Sequence, residues 1–400
     1  MSRSSRLVAV VAALALVLSV AAATTASAKV RTGPAGLAFY TPPKPLPGHR
    51  HGDAIWAKAA HGGVVVPGSS ATELVLYRSQ DAHGANVPVS GVISIPKGRA
   101  PRGGWPVITW AHGTTGIADA CAPSRDDGRP AHAYNSYVYP LLSSWLKAGY
   151  AVVRTDYEGL GTPYDHQYLN GRAEGSGVLD IVRAARQVDP RLSKNIIISG
   201  HSQGGHAALF AAALASRYTP ELKVKGTVAF APASHLDEQI PLTTGLTTPN
   251  PGLSALIATI GYGLHAAYPD RVDLASFLSP EGVQLALKTQ STCLSQLTAD
   301  AQGVAPAALF QPGADLGPIA RLLDLNDPSH LVIRTPVLLE QGTADTTVFP
   351  VFTDQLASEL RHNGTDGRLY YRKLDGVDHG GIVVAGAKPA TTWIEQRLPG

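Results

Sequence analysis

Cysteine is almost missing from this 400-residue chain, which has only Cys121 and Cys293. Neither has a second cysteine beside it, so the paired-thiolate spacing of a zinc site is excluded. Excess charge is missing as well. The net charge is +3 and the lysines and arginines are scattered, which gives no case for nucleic acid or an acidic membrane surface as partner. Charged residues make up 16% of the chain and hydrophobic ones 44%, the balance of a globular protein with a large core. Beyond Ala23 no segment holds the ~18 uninterrupted apolar residues that a membrane span needs. No internal repeat or long low-complexity tract is present. His49, His51 and His61 lack carboxylate partners at helical spacing and are expected as exposed loop histidines, not metal ligands.

What is present begins at the N-terminus. Arg3 and Arg6 precede an apolar run from Leu7 to Ala23, and Ala26-Ser27-Ala28 is a small-x-small cleavage pattern. This reads as a secretory signal peptide over residues 1–28, with cleavage after Ala28 and no stable membrane anchor afterwards. A mature chain outside the cytoplasm sits in an oxidising compartment, where the Cys121–Cys293 pair is expected as a disulfide. In the chain-entropy picture, closing so long a loop contributes on the order of 4–5 kcal/mol.

The chain is organised around Lys194 to Arg217. Ile196, Ile197 and Ile198 form the β-branched run of a strand buried on both faces. Gly200-His201-Ser202-Gln203-Gly204 follows, and then an Ala-rich helix with Leu209, Phe210 and Leu214 on one stripe. A five-residue pattern with three fixed positions arises often by chance. Strand, tight turn and helix around Gly-x-Ser-x-Gly do not, and together they define a nucleophile elbow. A Cβ at Gly200 or Gly204 would not fit so sharp a turn. The helix N-terminus below the serine offers free N–H groups and a positive dipole end to an oxyanion.

Elsewhere strands and helices alternate. Residues 29–70, rich in Pro, Gly and His, read as an irregular arm. Thr72 to Ser79 and Val87 to Ile95 are an antiparallel hairpin, followed by strands at Val107 to Trp110, Tyr150 to Thr155 and Val224 to Phe230. A helix opens at Pro140, and Val178, Ile181, Val182, Ala185 and Val188 mark another. From 236 to 330 no clear strand appears, but helical stretches do, such as Leu253 to Leu264 and Leu274 to Leu287. Strands Val337 to Leu339 and Leu369 to Leu374, a helix from Val351 to Leu360 and a last helix around Thr391 to Arg397 complete the chain. This is an α/β fold with a mostly parallel sheet flanked by helices, its core formed by 29–235 and 331–400, with residues 236–330 inserted as a helical cap or lid.

A serine hydroxyl needs a base, and the base needs an acid to orient it. In this fold the order is Ser, then Asp or Glu, then His, each past a strand end. Asp345 lies past strand 337–339 and His379 past strand 369–374, so Ser202, Asp345 and His379 are the expected catalytic set. His330 and His362 would lie on the wrong side of the sheet, and His201 and His206 are too near the serine in sequence. Asp378 would point away, and Glu340 lies in the strand end. An oxyanion hole needs two N–H donors. Gln203 supplies one, and Thr114, next to Gly113 in the loop after strand 107–110, supplies the other.

The motifs AHGTTG, DYEGLG, GHSQGG, GTAD and DGVDHGG, in that order, together with the early FYTPP and PLPG landmarks, resemble the secretory lipase family of the fungal lipase A type, which has bacterial members. The resemblance covers most of the mature chain. It implies an α/β-hydrolase with a helical cap that acts on carboxylic esters, using Ser202, Asp345 and His379; the Ser–His–Asp chemistry itself requires no cofactor. An ester or lipid substrate, lipid-interface contact through the cap and a monomeric state are the corresponding expectations. Leu253, Leu256, Ile257, Ile260, Tyr262 and Leu264 could line an acyl pocket or pack as core. An exopeptidase or acyltransferase would use the same triad, the peptidase with Asp237 and Glu238 as anchors for a substrate terminus. A non-catalytic binding protein would be expected to have lost a triad member.

Overall fold

The computed structural model describes residues 30–128 and 136–400, so the expected signal peptide lies outside the described residues. Strands β1 (Ala54–Ala59), β2 (Ser69–Gln80), β3 (Asn86–Pro96), β4 (Trp105–Ala111), β5 (Ala151–Glu158), β6 (Leu192–His201), β7 (Lys223–Phe230), β8 (Val337–Gly342) and β9 (Leu369–Leu374) form one sheet. Their order is β1-β2-β3-β5-β4-β6-β7-β8-β9. The first three strands and the β3–β5 junction are antiparallel, and every pair from β5 through β4 to β9 is parallel. β6 is an interior strand between β4 and β7, and Ile196, Ile197 and Ile198 are fully buried there, as a strand covered on both faces requires.

Helices cover both faces. On one side, α2 (Gly171–Val188) and α3 (Gln203–Tyr218) pack Val178, Ile181, Val182 and Leu209 onto the sheet. On the other, α1 (Tyr139–Lys147) contributes Leu141 and Trp145. Between β7 and β8 come five helices: α4 (Ile240–Gly245), α5 (Pro251–Ala267), α6 (Pro280–Lys288), α7 (Leu294–Asp300) and α8 (Gly317–Leu325). They build a hydrophobic cluster of their own around Ala258, Phe277, Leu297 and Leu322. α9 (Pro350–Leu360) follows β8 and packs Leu356 on the α2–α3 side, while α10 (Gly381–Ala385) and α11 (Ala387–Glu395) join α1 on the opposite face. No described helix is long and apolar enough to cross a membrane.

The N-terminal arm differs from its sequence reading. It carries β1, which pairs with β2 across a bulge between Ala54 and Trp56, and Gly33 N–H and Arg31 C=O bond to Ala57. Six residues set among prolines and glycines give little periodicity, and the pairing comes from β2. Phe39 and Trp56 are buried and linked by Trp56 Nε1–H to the Phe39 carbonyl at 2.9 Å. Each such side chain removed from water contributes roughly 1.5–3 kcal/mol. His49 and His61 are exposed, but His51 is half-buried. Its ring stacks on Tyr218 at 4.0 Å, with Nδ1 at 2.8 Å from the buried carboxylate of Asp180.

Other boundaries move for local reasons. The apolar stretch 274–287 is not one helix: Pro280 cannot continue a turn begun before it, and Ser279 Oγ caps α6 by accepting from Gly282 N–H at 3.1 Å. The last helix begins earlier than expected, because Pro389 is tolerated in the first turn of α11. β5 and β8 each run on by three residues, through Asp156–Glu158 and Glu340–Gly342.

The Cys121–Cys293 disulfide is formed, with a Cα–Cα distance of 5.4 Å and a sequence separation of 172. It fastens the loop after β4 to the start of α7, alongside Leu294 N–H to Thr115 C=O at 2.9 Å. Replacing both cysteines by serine is expected to cost about 2–5 kcal/mol, read as a drop of several degrees in Tm by calorimetry.

Candidate active site

Ser202 lies between the end of β6 and the start of α3 with φ 59° and ψ −120°, a left-handed conformation unusual for serine. Its N–H bonds to Phe230 C=O at 2.9 Å, tying the turn to β7. The flanking glycines are required by contact and not by dihedral angle. A Cβ on Gly200 would strike the Gly204 carbonyl, and one on Gly204 would strike the carbonyls of Ala111 and His112. α3 therefore passes so close to the end of β4 that its first N–H groups, starting with Gln203, open beside Ser202 without an intrahelical acceptor.

His379 and Asp345 arrive from the loops after β9 and β8. His379 Nδ1–H donates to Asp345 Oδ2 at 2.7 Å, which leaves Nε2 with the basic lone pair. The carboxylate is fully equipped: Oδ1 accepts from Thr347 N–H at 2.8 Å and Val348 N–H at 2.9 Å, and Oδ2 also from Gln341 Nε2 at 3.1 Å. Burial alone would raise the Asp345 pKa, but the His379 hydrogen bond and charge and the two N–H donors outweigh it and hold the carboxyl below the usual range.

The competing groups go elsewhere. Glu340 is buried with neither oxygen hydrogen-bonded, and burial pushes its pKa up to about 8 despite Arg372 at 3.5 Å. Burial thus works against its charged form, and it makes no hydrogen bond to His379. Asp378 accepts from Gly381 N–H at 2.7 Å, and His330 bonds Asp324 at 2.6 Å. His201 is buried against the site. Burial first, and the neighbouring His379 second, hold its pKa well below the ordinary imidazole value. Its Nε2–H donates to the His379 carbonyl at 2.9 Å, and its Nδ1 meets the Tyr137 hydroxyl at 2.5 Å.

Ser202, His379 and Thr114 line one cavity of about 220 Å³. Its remaining walls are Leu253 and Leu256 of α5, Leu294 and Thr298 of α7, Asn250, Gly252, Thr346 and Thr347, with no charged side chain among them. Of the apolar stripe in 253–264, Leu253 and Leu256 face this cavity, whereas Ile257, Tyr262 and Leu264 are buried in the helical cluster. Glu238 accepts from Gln355 of α9, and neither it nor Asp237 borders the cavity. Thr114 Oγ1 is engaged with the Tyr168 hydroxyl at 2.6 Å, so its side chain is already committed. Gly113 lies against Tyr137 and His201, where a Cβ would come within 3.1 Å of the Tyr137 hydroxyl.

Sequence reasoning missed the polar network behind the elbow, above all the Gln203 side chain and Glu174. A signal existed: Glu174 falls on the buried stripe of α2 that continues through Val178, Ile181 and Ala185, and a carboxylate on an apolar face asks for a partner.

A parallel sheet with a strand–turn–helix serine at its centre and an Asp–His pair beyond later strands defines an α/β-hydrolase. Residues 136–400 match the Secretory lipase family, and the chain belongs to it. It is 27% identical over 394 residues to the "Probable inactive lipase" of Mycobacterium tuberculosis, covering 90% of this chain and 82% of that one. It is 27% identical over 350 residues to lipase A of Arthroderma benhamiae, covering 83% and 71%. In fold it is similar to Candida antarctica lipase A, with a TM-score of 0.75 at 19% identity, over 90% of this chain and 84% of that one.

The depressed Asp345 carboxyl sets a pH dependence. With its folded pKa below the unfolded one, it stabilises the fold above the ordinary carboxylate range, and this is lost as the pH falls through the folded value. The Tm gap between wild type and Asp345→Asn is expected to be widest near about pH 7 and to shrink towards about pH 3.

Proposed function

We propose that this chain is a secreted serine hydrolase that cleaves carboxylic esters through an acyl-enzyme. The observation that carries the reading is the Asp345–His379 hydrogen bond of 2.7 Å, with His379 lining the same cavity as Ser202. His379 Nε2 takes the Ser202 proton as Oγ attacks the ester carbonyl, and Asp345 stabilises the imidazolium that forms. The tetrahedral oxyanion is met by the N–H groups of Gln203 and Thr114. His379 then protonates the leaving alkoxide, and water attacks the acyl-Ser202 ester by the same route in reverse order. No cofactor enters these steps. The similarity to a relative named as inactive leaves activity to the site's own chemistry, and the reading is supported by this chain's keeping a serine, a histidine and an aspartate at positions 202, 379 and 345.

In this reading residues 236–330 act as a cap whose α5 and α7 wall the acyl site, and the mature chain begins at Lys29 after export. The uncharged cavity wall favours a neutral ester over a peptide with a charged terminus. Its size, about 220 Å³, is below the about 300–1,000 Å³ of sites that enclose drug-sized ligands, which favours short acyl groups.

Two measurements test this. Ser202→Ala is expected to abolish p-nitrophenyl ester hydrolysis with Tm unchanged, and an active Ser202→Ala protein would sink the mechanism. Across p-nitrophenyl esters from acetyl to palmitoyl, kcat/KM is expected to peak at the short chains. A maximum at palmitoyl would overturn the short-acyl assignment.

A further inference from the structure

The proposed mechanism uses the backbone N–H of Gln203 and leaves its side chain without a task. That side chain is buried, and it spans from the first turn of α3 to the first turn of α2. Its Nε2 donates to Glu174 Oε1 at 2.7 Å and lies 3.0 Å from His166 Nε2. The donor pattern closes with His166 as the neutral imidazole. His166 Nδ1–H bonds the Glu158 carbonyl at 2.9 Å, which leaves Nε2 as an acceptor for the second amide hydrogen of Gln203.

Glu174 is held through one oxygen, Oε1. The same Oε1 accepts Leu169 N–H at 2.8 Å, where Leu169 has a left-handed φ of 58°. The other oxygen faces His206 Nδ1 at 3.5 Å, and His206 Nε2–H is anchored on the Asn326 carbonyl at 2.8 Å, at the C-terminal end of α8. A fully buried carboxylate with no hydrogen bond to its second oxygen is costly, and a core Leu or Met would fill the same space more cheaply. Packing alone does not account for it. What Glu174 does have is a short bond to the residue whose N–H borders Ser202.

We propose that Glu174 is a positioning residue for the reaction. Through the Gln203 side chain it fixes the first peptide of α3, and so the direction of the Gln203 N–H that meets the oxyanion, while His166 sets the second bond of that leash. This rests on the reading of Gln203 as an oxyanion donor. A donor displaced by a fraction of an ångström still binds a ground-state ester but stabilises the tetrahedral species poorly, so the effect falls on kcat and not on KM.

The test uses volume-conserving substitutions in the whole chain. Glu174→Met and Gln203→Met each keep the backbone N–H and break the leash. Each is expected to lower kcat by about 10- to 100-fold, with KM within about twofold, and to weaken an alkylboronic acid transition-state analogue by the same factor as kcat/KM. The double variant is expected to be no worse than Gln203→Met alone, because the Gln203–Glu174 bond is lost in both single variants. Glu174→Gln offers Oε1 to Leu169 and Gln203 and an amide hydrogen to His206 Nδ1, so its kcat is expected within about threefold of wild type. Unchanged kcat and analogue affinity in folded Met variants, additive losses in the double variant, or a fall in Glu174→Gln as large as that of Glu174→Met would each overturn the inference. Ser202→Ala run alongside separates the two levels. Activity that survives it removes the underlying mechanism, whereas activity lost in Ser202→Ala but kept in the Met variants removes only the role of Glu174.

Discussion

The site depends on one close approach, the passage of α3 against the end of β4. Gly204 meets the carbonyls of Ala111 and His112 where no side chain would fit, and Gly200 meets the Gly204 carbonyl in the same way. Ser202 is forced to a positive φ at the tip between them. A non-glycine residue in that region costs of order 1–3 kcal/mol and persists only where its surroundings over-determine it. Here they do: Ser202 N–H is bonded to β7, β6 is buried between parallel neighbours, and α3 is packed into the main core. The strain turns the hydroxyl towards the cavity and leaves the helix N-terminus open beside it.

Burial divides the imidazoles of the site by role. His379 keeps a side chain at the cavity wall, where a carboxylate with four donors steadies it. His201 and His112 are buried, and burial lowers both pKa values, that of His112 to about 4. They remain neutral hydrogen-bonding struts to the carbonyls of His379 and Gly113. Glu340, next to Gln341 in β8, has its pKa raised by the same desolvation. A low-dielectric surround thus disfavours competing charges, while Asp345 is held as the carboxylate bonded to His379.

Much of this was legible in the sequence because it rests on local chemistry. Ile196 to Gly204 states strand, turn and helix in nine residues, and Asp345 and His379 follow their strands at the expected distance. The disulfide followed from the count of two cysteines and the compartment expected from the N-terminal sequence. β1 was not legible, since an Ala-Ile-Trp-Ala-Lys-Ala edge strand has its pairing set by β2 and not by its own pattern. Nor was the division of the 253–264 stripe between cavity and core, because one helical face can serve either use until its neighbours are known. The partners of Gln203 and His51 were hidden for a different reason. Glu174 lies 29 residues from Gln203, and Asp180 lies 129 from His51, and only tertiary packing brings such groups together.

The arm has a consequence at the rim of the sheet. A nine-stranded open sheet ends in two rows of backbone donors and acceptors, a ready template for pairing with another chain. At one rim, Arg31 and Gly33 of the arm bond to Ala57 and occupy part of the outer row of β1. At the other, β9 is a six-residue strand that carries exposed Arg372 and Lys373. One border is screened by the protein's own chain and the other by shortness and charged side chains, paired with Glu340 and Asp354, both recognised devices against strand-to-strand pairing. The arm thus takes up pairing groups of the sheet's outer strand while standing far from Ser202 in sequence.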